Sequence, residues 1–472
     1  MQIYNTLSRS LEEFKPIERK KIRFYHCGPT VYWVQHIGNM RAMVWADFIR
    51  RSLLYLGYDV NFVRNYTDVG HLTSDQDEGE DKMEKGAKRE GLTPDEIANK
   101  YIHIFNQDIE KLNAIPPTKT PRATEFIEQM KEMIKVLIEK KHAYITEYAI
   151  YFDVNTFPEY NKLNKQKLEL NQKGLGKGTV EDSQKKHFAD FALWFFKKGA
   201  HKNALQTWES PWGIGFPGWH IECSVMSKSL LGDTLDIHMG GIEHISVHHT
   251  NEIAQSESSN GVPFCHYWIH NEHLNVNDGK MAKSEGTSFT LQDIIDKGFD
   301  PLDLRYFFMS AHYRSKQNFT WEALKAAQIT LKRLREIILN LKSFLTDKPA
   351  HVIPAKAGIQ SQMTYFKNQF LTNISHDFDI PQTIALLWKI VKSDLSPHVK
   401  LDLIFDFDNV FGLKLNDVKE DIIPQEIIDL ANKRLIAKQN KDFKKADDFR
   451  VQIEQKGFGT ADTKDGYKVF KK

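Results

Sequence analysis

Cysteine is scarce in this chain and histidine is not: the 472 residues hold three cysteines, at 27, 223 and 265, and nineteen histidines. Thiolate and imidazole are ligands that suit zinc, and a carboxylate can complete the set. His248 and Glu252 stand four apart, so a helix would bring both to one face. Cys27 and Cys223 offer two sulfurs but form no Cys-x-x-Cys pair. By spacing alone these four are one grouping among several, and a buried small hydrophobe is the ordinary role of a lone cysteine. Cys265, inside Pro263-Phe264-Cys265-His266-Tyr267-Trp268, reads as core.

Phosphate chemistry is the second possibility. His36-Ile37-Gly38-Asn39 falls where a loop enters a helix, and a helix N-terminus meets phosphates with unpaired amides. Lys280-Met281-Ala282-Lys283-Ser284 carries two lysines able to neutralise charge on a leaving group, although such a run alone is ordinarily an exposed loop. Three lookalikes are set aside. Gly213-Ile214-Gly215-Phe216-Pro217-Gly218 matches the dinucleotide fingerprint by letter, but no strand is expected before it and Pro211 and Pro217 bracket it. Gly174-Leu175-Gly176-Lys177-Gly178 lacks the Gly-Lys-Ser/Thr ending of a phosphate loop and reads as a flexible turn. The run His238, His244, His248, His249 contains no His-Glu-x-x-His of a metalloprotease.

The elements that must position these residues begin with Lys21-Ile22-Arg23-Phe24-Tyr25, whose alternation predicts a strand. Met40, Val44 and Phe48 recur every four residues and predict a helix to about Leu56, stopped by Gly57. Val60-Asn61-Phe62-Val63 predicts the next strand, ending near Thr67-Asp68. Strand, glycine-bearing loop, helix and strand make the βαβ opening of an α/β, Rossmann-like nucleotide-binding domain. Residues 1–114 form its first half and 206–275 its second, where Leu235 to Gly241 is a strand running into a glycine turn. A connective insert spans 115–205 and the lysine-loop region 276–315. An α-helical bundle follows over 316–415, with Leu331, Leu334, Ile338 and Leu341 at helical spacing, then a small C-terminal module over 420–472. His351 to Gln360 interrupts the bundle pattern and reads as a tolerated surface insert without function.

Composition bounds the answer. Charged residues are 27% and apolar residues 41%, as in an ordinary soluble globular protein, and the length allows two to four domains. The net charge of +2 does not mark the whole molecule as a nucleic-acid binder, but residues 431–472 carry twelve Lys or Arg against six Asp or Glu. Such a basic end suits RNA, and equally a solvated surface. No apolar run is long enough for a membrane span, the N-terminus lacks a signal peptide's apolar core, and the few scattered cysteines form no disulfide framework. A reducing cytoplasm is the expected setting.

Taken together these motifs resemble the class I aminoacyl-tRNA synthetases, and within them the cysteinyl-tRNA synthetase family. His36-Ile37-Gly38-Asn39 is similar to the family's His-Ile-Gly-His signature, and Lys280-Met281-Ala282-Lys283-Ser284 to its Lys-Met-Ser-Lys-Ser. Cys27-Gly28-Pro29-Thr30-Val31-Tyr32, Gly218-Trp219-His220-Ile221-Glu222-Cys223-Ser224 and His248-His249-Thr250-Asn251-Glu252 look like its amino-acid pocket. Five motifs in the right order, over nearly the whole chain, carry the likeness. It implies one zinc ion on Cys27, Cys223, His248 and Glu252, binding the substrate's thiolate and so rejecting serine. It implies a cysteine pocket of Gly28, Thr67, Trp219 and His238, and an ATP site, with Mg2+, at His36, Gly38, Asn39 and Lys283. Lys280 and Lys283 would act with His36 and Asn39 in forming a cysteinyl-adenylate, which tRNA(Cys) then accepts. The expected partners are tRNA(Cys), L-cysteine and ATP, and a monomer is expected.

The chain also departs from the family. Asn39 replaces a histidine, Ala282 a serine, Thr250 a glutamate, and Gly70-His71 stands where acidic residues are common; the tryptophan near the C-terminal end is replaced around Val469-Phe470. Two rivals share features: a ligase joining cysteine to an amino sugar, which lacks the C-terminal module, and a non-catalytic zinc-dependent RNA binder, which would not need Lys280, Lys283 or His36.

Overall fold

In the computed structural model, which describes residues 1–74, 78–165, 184–277, 279–280, 287–346, 357–419, 423–463 and 466–471, the opening unit is β1 (Lys21–His26), α1 (Ile37–Tyr55) and β2 (Asp59–Arg64). The alternation in β1 sends Ile22 and Phe24 to one core, shared with Met40, Val44 and Phe48 of α1. It sends Tyr25 to a second core on the opposite face. Pairing is parallel and in register from Lys21↔Asp59 to His26↔Arg64.

The second half supplies α2 (Trp219–Leu231), β3 (Leu235–Gly241), α3 (His248–Asn260) and β4 (Cys265–Asn271). β3 inserts beside β1, with Ile237↔Phe24, and β4 lies outside it, giving a parallel four-stranded order β4-β3-β1-β2. α1 covers one face of this sheet, and α2 and α3 cover the other. The chain leaves β1 in one direction and β3 in the other, so a crevice opens between their C-terminal ends, where such sheets hold ligands.

Between the halves, the helix Ile127–Glu139 packs on an antiparallel four-stranded sheet: Ala143–Ile145, Ala149–Phe152, Phe191–Phe196 and Gly215–Pro217. The last strand lies in the stretch that sequence patterning assigned to the second half. Glycine is required there because a Cβ on Gly215 would sit 1.9 Å from the Phe195 carbonyl oxygen. The middle glycine of the dinucleotide-like run therefore serves strand pairing. The Gly174–Gly178 turn and residues 351–356 lie outside the described residues.

The C-terminal region is helical: Trp321–Thr346, Ala357–Ser375, Ile380–Lys392 and Pro397–Phe411, then a hairpin of Gln425–Gln439 and Phe443–Gln455 against a two-stranded sheet, Phe458–Thr463 and Gly466–Lys471. Among the described residues no helix is long and apolar enough to cross a membrane.

A buried ion network ties α1 to this region. Asp47 accepts hydrogen bonds from Arg305 Nη2 (2.6 Å), Arg51 Nε (2.7 Å) and Ile115 N (2.8 Å). Arg305 also donates to Phe411 O (2.7 Å) and Leu112 O (2.9 Å). Burial works to raise the Asp47 carboxyl, but Arg305 and Arg51 outweigh it and hold it below the usual range. Removing one member strands a buried charge, so Asp47→Ala should lower unfolding free energy by about 3–5 kcal/mol. Urea denaturation checks this, and a loss near zero would show that the pair contributes nothing net.

Candidate metal centre and nucleotide cleft

The crevice is a cleft of about 450 Å³ reaching from Cys27 and Cys223 at one end to His36 and Asn39 at the other. Its floor depends on the turn after β1. Gly28 N donates to Asn65 Oδ1 (2.9 Å), and a Cβ on Gly28 would lie 1.6 Å from the Asn65 carbonyl oxygen, so no other residue fits. Thr30 and Thr67 then pair across the turn.

Four elements converge at the sulfur end. Cys27 leaves β1, Cys223 sits in α2, His238 in β3, and His248, His249 and Glu252 on one face of α3. Cys27 Sγ lies 3.9 Å from Cys223 Sγ, 3.8 Å from Glu252 Oε1 and 3.3 Å from His249 Nε2. His248 Nε2 lies 3.0 Å from Glu252 Oε1, and its Nδ1 meets His220 Nδ1 at 2.9 Å. All these side chains are buried. The donor atoms of Cys27, Cys223, His248 and Glu252 lie within 4.8 Å of one another, so the expected quartet is brought together. So are Cys27, His238, His249 and Glu252, a second grouping that shares two members.

The electrostatics suit a cation. Burial works to raise the Cys223 thiol, but the hydrogen bond from Cys27 and the pull of His248 bring it down to about 6. Burial pushes the Cys27 thiol well up. Burial would depress His248, yet Glu252 and Cys223 raise it to about 10; Glu252, resisted by burial, is held far below the carboxylate range by His238 and His248. His248 Nε2 faces Glu252 Oε1, and once its proton departs its lone pair can serve a ligand between them.

Of the residues expected to form the amino-acid pocket, Gly28, Thr67 and Trp219 line the cleft. His238 does not. It lies fully buried behind Glu252, with Nε2 2.8 Å from Oε2 and its ring stacked on Trp268 at 4.6 Å. Being inside β3, it faces the second core instead of the open end of the strand. Sequence reasoning passed over His249 and His71, both legible only as members of a histidine-rich run or as a departure from a motif. His71 stacks on Trp219 at 3.9 Å, and Trp219 on His248 at 4.1 Å, so three rings form one wall of the site. Thr250, buried in α3, donates to Ile245 O (2.7 Å) and caps the preceding turn.

At the other end, the helix amides are arranged differently from the expectation. His36 Nδ1 accepts from Gly38 N (3.1 Å) and Asn39 N (3.2 Å), so the first free amides of α1 are already capped. With Nδ1 an acceptor, the proton of the neutral ring sits on Nε2, which becomes a donor. Lys280 pairs with Asn275 in a short antiparallel ladder. Lys283 lies outside the described residues. The chain re-emerges against the same helix: Ile37 N donates to Phe289 O (2.8 Å), and Thr290 bridges to His36.

This fold recurs in solved synthetases. A Mycobacterium tuberculosis methionyl-tRNA synthetase in complex with methionyl-adenylate aligns with a TM-score of 0.61 at 14% identity, over 85% of this chain and 93% of that one. A ternary LeuRS-tRNA-LeuAMS complex from Agrobacterium radiobacter K84 aligns at 0.62 with 11% identity, over 86% of each. Residues 13–329 match the family of tRNA synthetases class I (C) catalytic domain, which makes this a class I synthetase domain. The full-length relatives narrow it further. Proteins named cysteine–tRNA ligase are 40% identical in Treponema denticola, over 97% of this chain and 96% of the relative, and 40% in Borrelia hermsii, over 99% of both. The chain belongs to the cysteine–tRNA ligase family.

A pH test follows from the His248 shift. Its folded value, near 10, exceeds its unfolded 6.5, so in the metal-free protein its contribution is fully present below 6.5 and lost as pH rises through about 10. The stability difference between the chelator-treated chain and its His248→Asn variant should therefore shrink from pH 6.5 to 10 in denaturant melts. A difference that stays constant would remove the ion pairing.

Proposed function

We propose that the chain ligates L-cysteine to tRNA(Cys) with ATP, through an enzyme-bound cysteinyl-adenylate, and selects its amino acid by sulfur. The observation that carries this reading is the closure of Cys27, Cys223, His248 and Glu252 around one point at the head of a nucleotide-binding cleft. Tetrahedral zinc with Zn–S near 2.3 Å requires sulfurs about 3.8 Å apart; Cys27 and Cys223 stand at 3.9 Å, far beyond disulfide length. These four residues would hold one zinc ion. When bound it supplies a soft Lewis acid for the substrate's thiolate, a bond that serine's hydroxyl makes poorly, so the pocket discriminates without editing.

The remaining work belongs to the chain's own groups. His238 fixes the Glu252 carboxylate from behind. Gly28 and Thr67 form the floor, and Trp219, held between His71 and His248, walls the site from water. The cysteine carboxylate attacks the α-phosphorus of ATP and pyrophosphate leaves, so no protein nucleophile is needed and positioning with charge stabilisation supplies the rate. His36 donates from Nε2 to the phosphates, the Asn39 side-chain amide adds a neutral donor, and Gly38 leaves them room. Lys280 and Lys283 neutralise the charge that develops on the leaving group, with Mg2+ carried by ATP. The 3′-terminal ribose hydroxyl of the tRNA then attacks the adenylate carbonyl.

In this reading 1–114 and 206–275 form the catalytic core, 115–205 the insert and 276–315 the lysine-loop region. The bundle over 316–415 and the basic module over 420–472 contact tRNA, and the chain works as a cytoplasmic monomer. Pyrophosphate exchange driven by cysteine and not by serine, with tRNA charging by the same preparation, is the expected result. Exchange without charging would move the acceptor to a small amine.

Two variants separate the two ends of the cleft. Cys223→Ser should lose zinc, read by atomic absorption, and exchange together; a variant that still activates cysteine at the wild-type rate would refute the metal role. Lys283→Ala should retain zinc and slow adenylate formation by roughly 100-fold, the scale of one lost charge-stabilising group. Unchanged exchange would take that lysine out of the mechanism.

A further inference from the structure

Arg41, one turn into α1, is fully buried. Burial draws its pKa down to about 10, so the guanidinium is charged at neutral pH. All four of its hydrogen-bond acceptors are neutral oxygens, and the Glu272 carboxylate nearby is the charge that favours it. Nε donates to Gln317 Oε1 (3.0 Å), Nη1 to Glu272 O (2.5 Å), and Nη2 to His312 O (3.0 Å) and Ser315 O (2.9 Å). A buried charge whose hydrogen bonds all go to neutral oxygens is a costly way to fill space that a methionine would fill. Its value lies in what those oxygens belong to.

Glu272 follows β4 directly and leads into the strand Leu274–Val276. That strand pairs antiparallel with Gly279–Lys280, where the lysine run begins, and parallel with Gln317–Phe319. Gln317 is itself held, its Nε2 donating to Phe307 O (2.7 Å) and Ser310 Oγ (3.1 Å). Arg41 thus holds Gln317 of one strand and Glu272, just before the other, at the base of the lysine loop. The loop's far end returns to the same helix turn through Ile37 N and Phe289 O. None of these contacts reaches Cys27, Cys223, His248 or Glu252.

We propose that Arg41 is a positioning residue for ATP activation: its four hydrogen bonds set where the lysine run starts relative to His36 at the N-terminus of α1. The inference rests on the ligase reading, in which those lysines meet the triphosphate held at His36. It predicts a rate defect confined to phosphate chemistry. Cysteine binding at the other end of the cleft is spared.

The test compares Arg41→Met, Arg41→Lys and Gln317→Met in the full-length, zinc-loaded chain. In Arg41→Met, kcat for cysteine-dependent pyrophosphate exchange should fall roughly 100-fold, the scale of an ångström-sized misplacement, while KM for cysteine and zinc content stay at wild-type values. Arg41→Lys keeps the charge but lacks the planar fork that reaches four oxygens, so it should not restore the rate. Gln317→Met, which removes one of the four bonds, should fall between. Should Arg41→Met fail to fold, the other two variants carry the comparison. Wild-type kcat per folded molecule in the variants, full rescue by lysine, or a parallel collapse of zinc content and cysteine KM would each overturn the proposal. No exchange by the unmodified chain would overturn the ligase reading itself, and this inference with it.

Discussion

The Glu252 carboxylate is fully buried and stays ionised, and much of the site is the consequence. A carboxylate removed from water must be met by opposite charge or donors, or it takes up a proton. His238 meets one oxygen at 2.8 Å, and His248, one helical turn earlier, lies 3.0 Å from the other. That arrangement requires α3 to present its first turn to the end of β3 and requires β3 to lie between β1 and β4. Once it does, Cys27 Sγ and Cys223 Sγ come to lie 3.9 Å apart beside Glu252. The Cys/His/Glu cluster and the sheet order are two descriptions of one constraint.

α1 plays the corresponding part at the His36 end of the cleft. Its N-terminus carries His36, its second turn Arg41 and its middle Asp47, and each faces a different partner. Through Arg41 it holds Glu272, before the lysine run, and Gln317, after it, and through Asp47 and Arg305 it holds Leu112 and Phe411. A rigid helix with three anchor points is well suited to keep two signatures, separated by the insert and the second half, in a fixed relation. Gly28 makes the arrangement possible by letting the turn after β1 pass against Asn65 with no side chain between them.

The places where expectation and structure differ have physical causes. Spacing assigned the unpaired amides of α1 to phosphate, but a histidine at the N-cap can accept with its own Nδ1, and His36 does so. His238 was expected among the pocket residues; two positions further along β3, Gly240 and Gly241 reach the cleft, while His238 remains inside the sheet. The insert's fourth strand, Gly215–Pro217, was hidden because a glycine, a phenylalanine and a proline over three residues show no alternation to detect.

Local order was legible from the chain alone. Alternation in Lys21–Tyr25, the four-residue recurrence of Met40, Val44 and Phe48, and Gly57 marked β1, α1 and its end, because side-chain period is set by the backbone of each element. Residue chemistry likewise singled out Cys27, Cys223, His248 and Glu252 as a metal-compatible set, with the family resemblance choosing among groupings. What only the tertiary structure decided is which atoms meet: the 3.9 Å between sulfurs from β1 and α2, the addition of His249, the wall of His71, Trp219 and His248, and the buried Arg41. Those contacts join residues far apart in sequence, and no periodicity encodes them. They follow from sheet order and packing, which the whole chain determines at once.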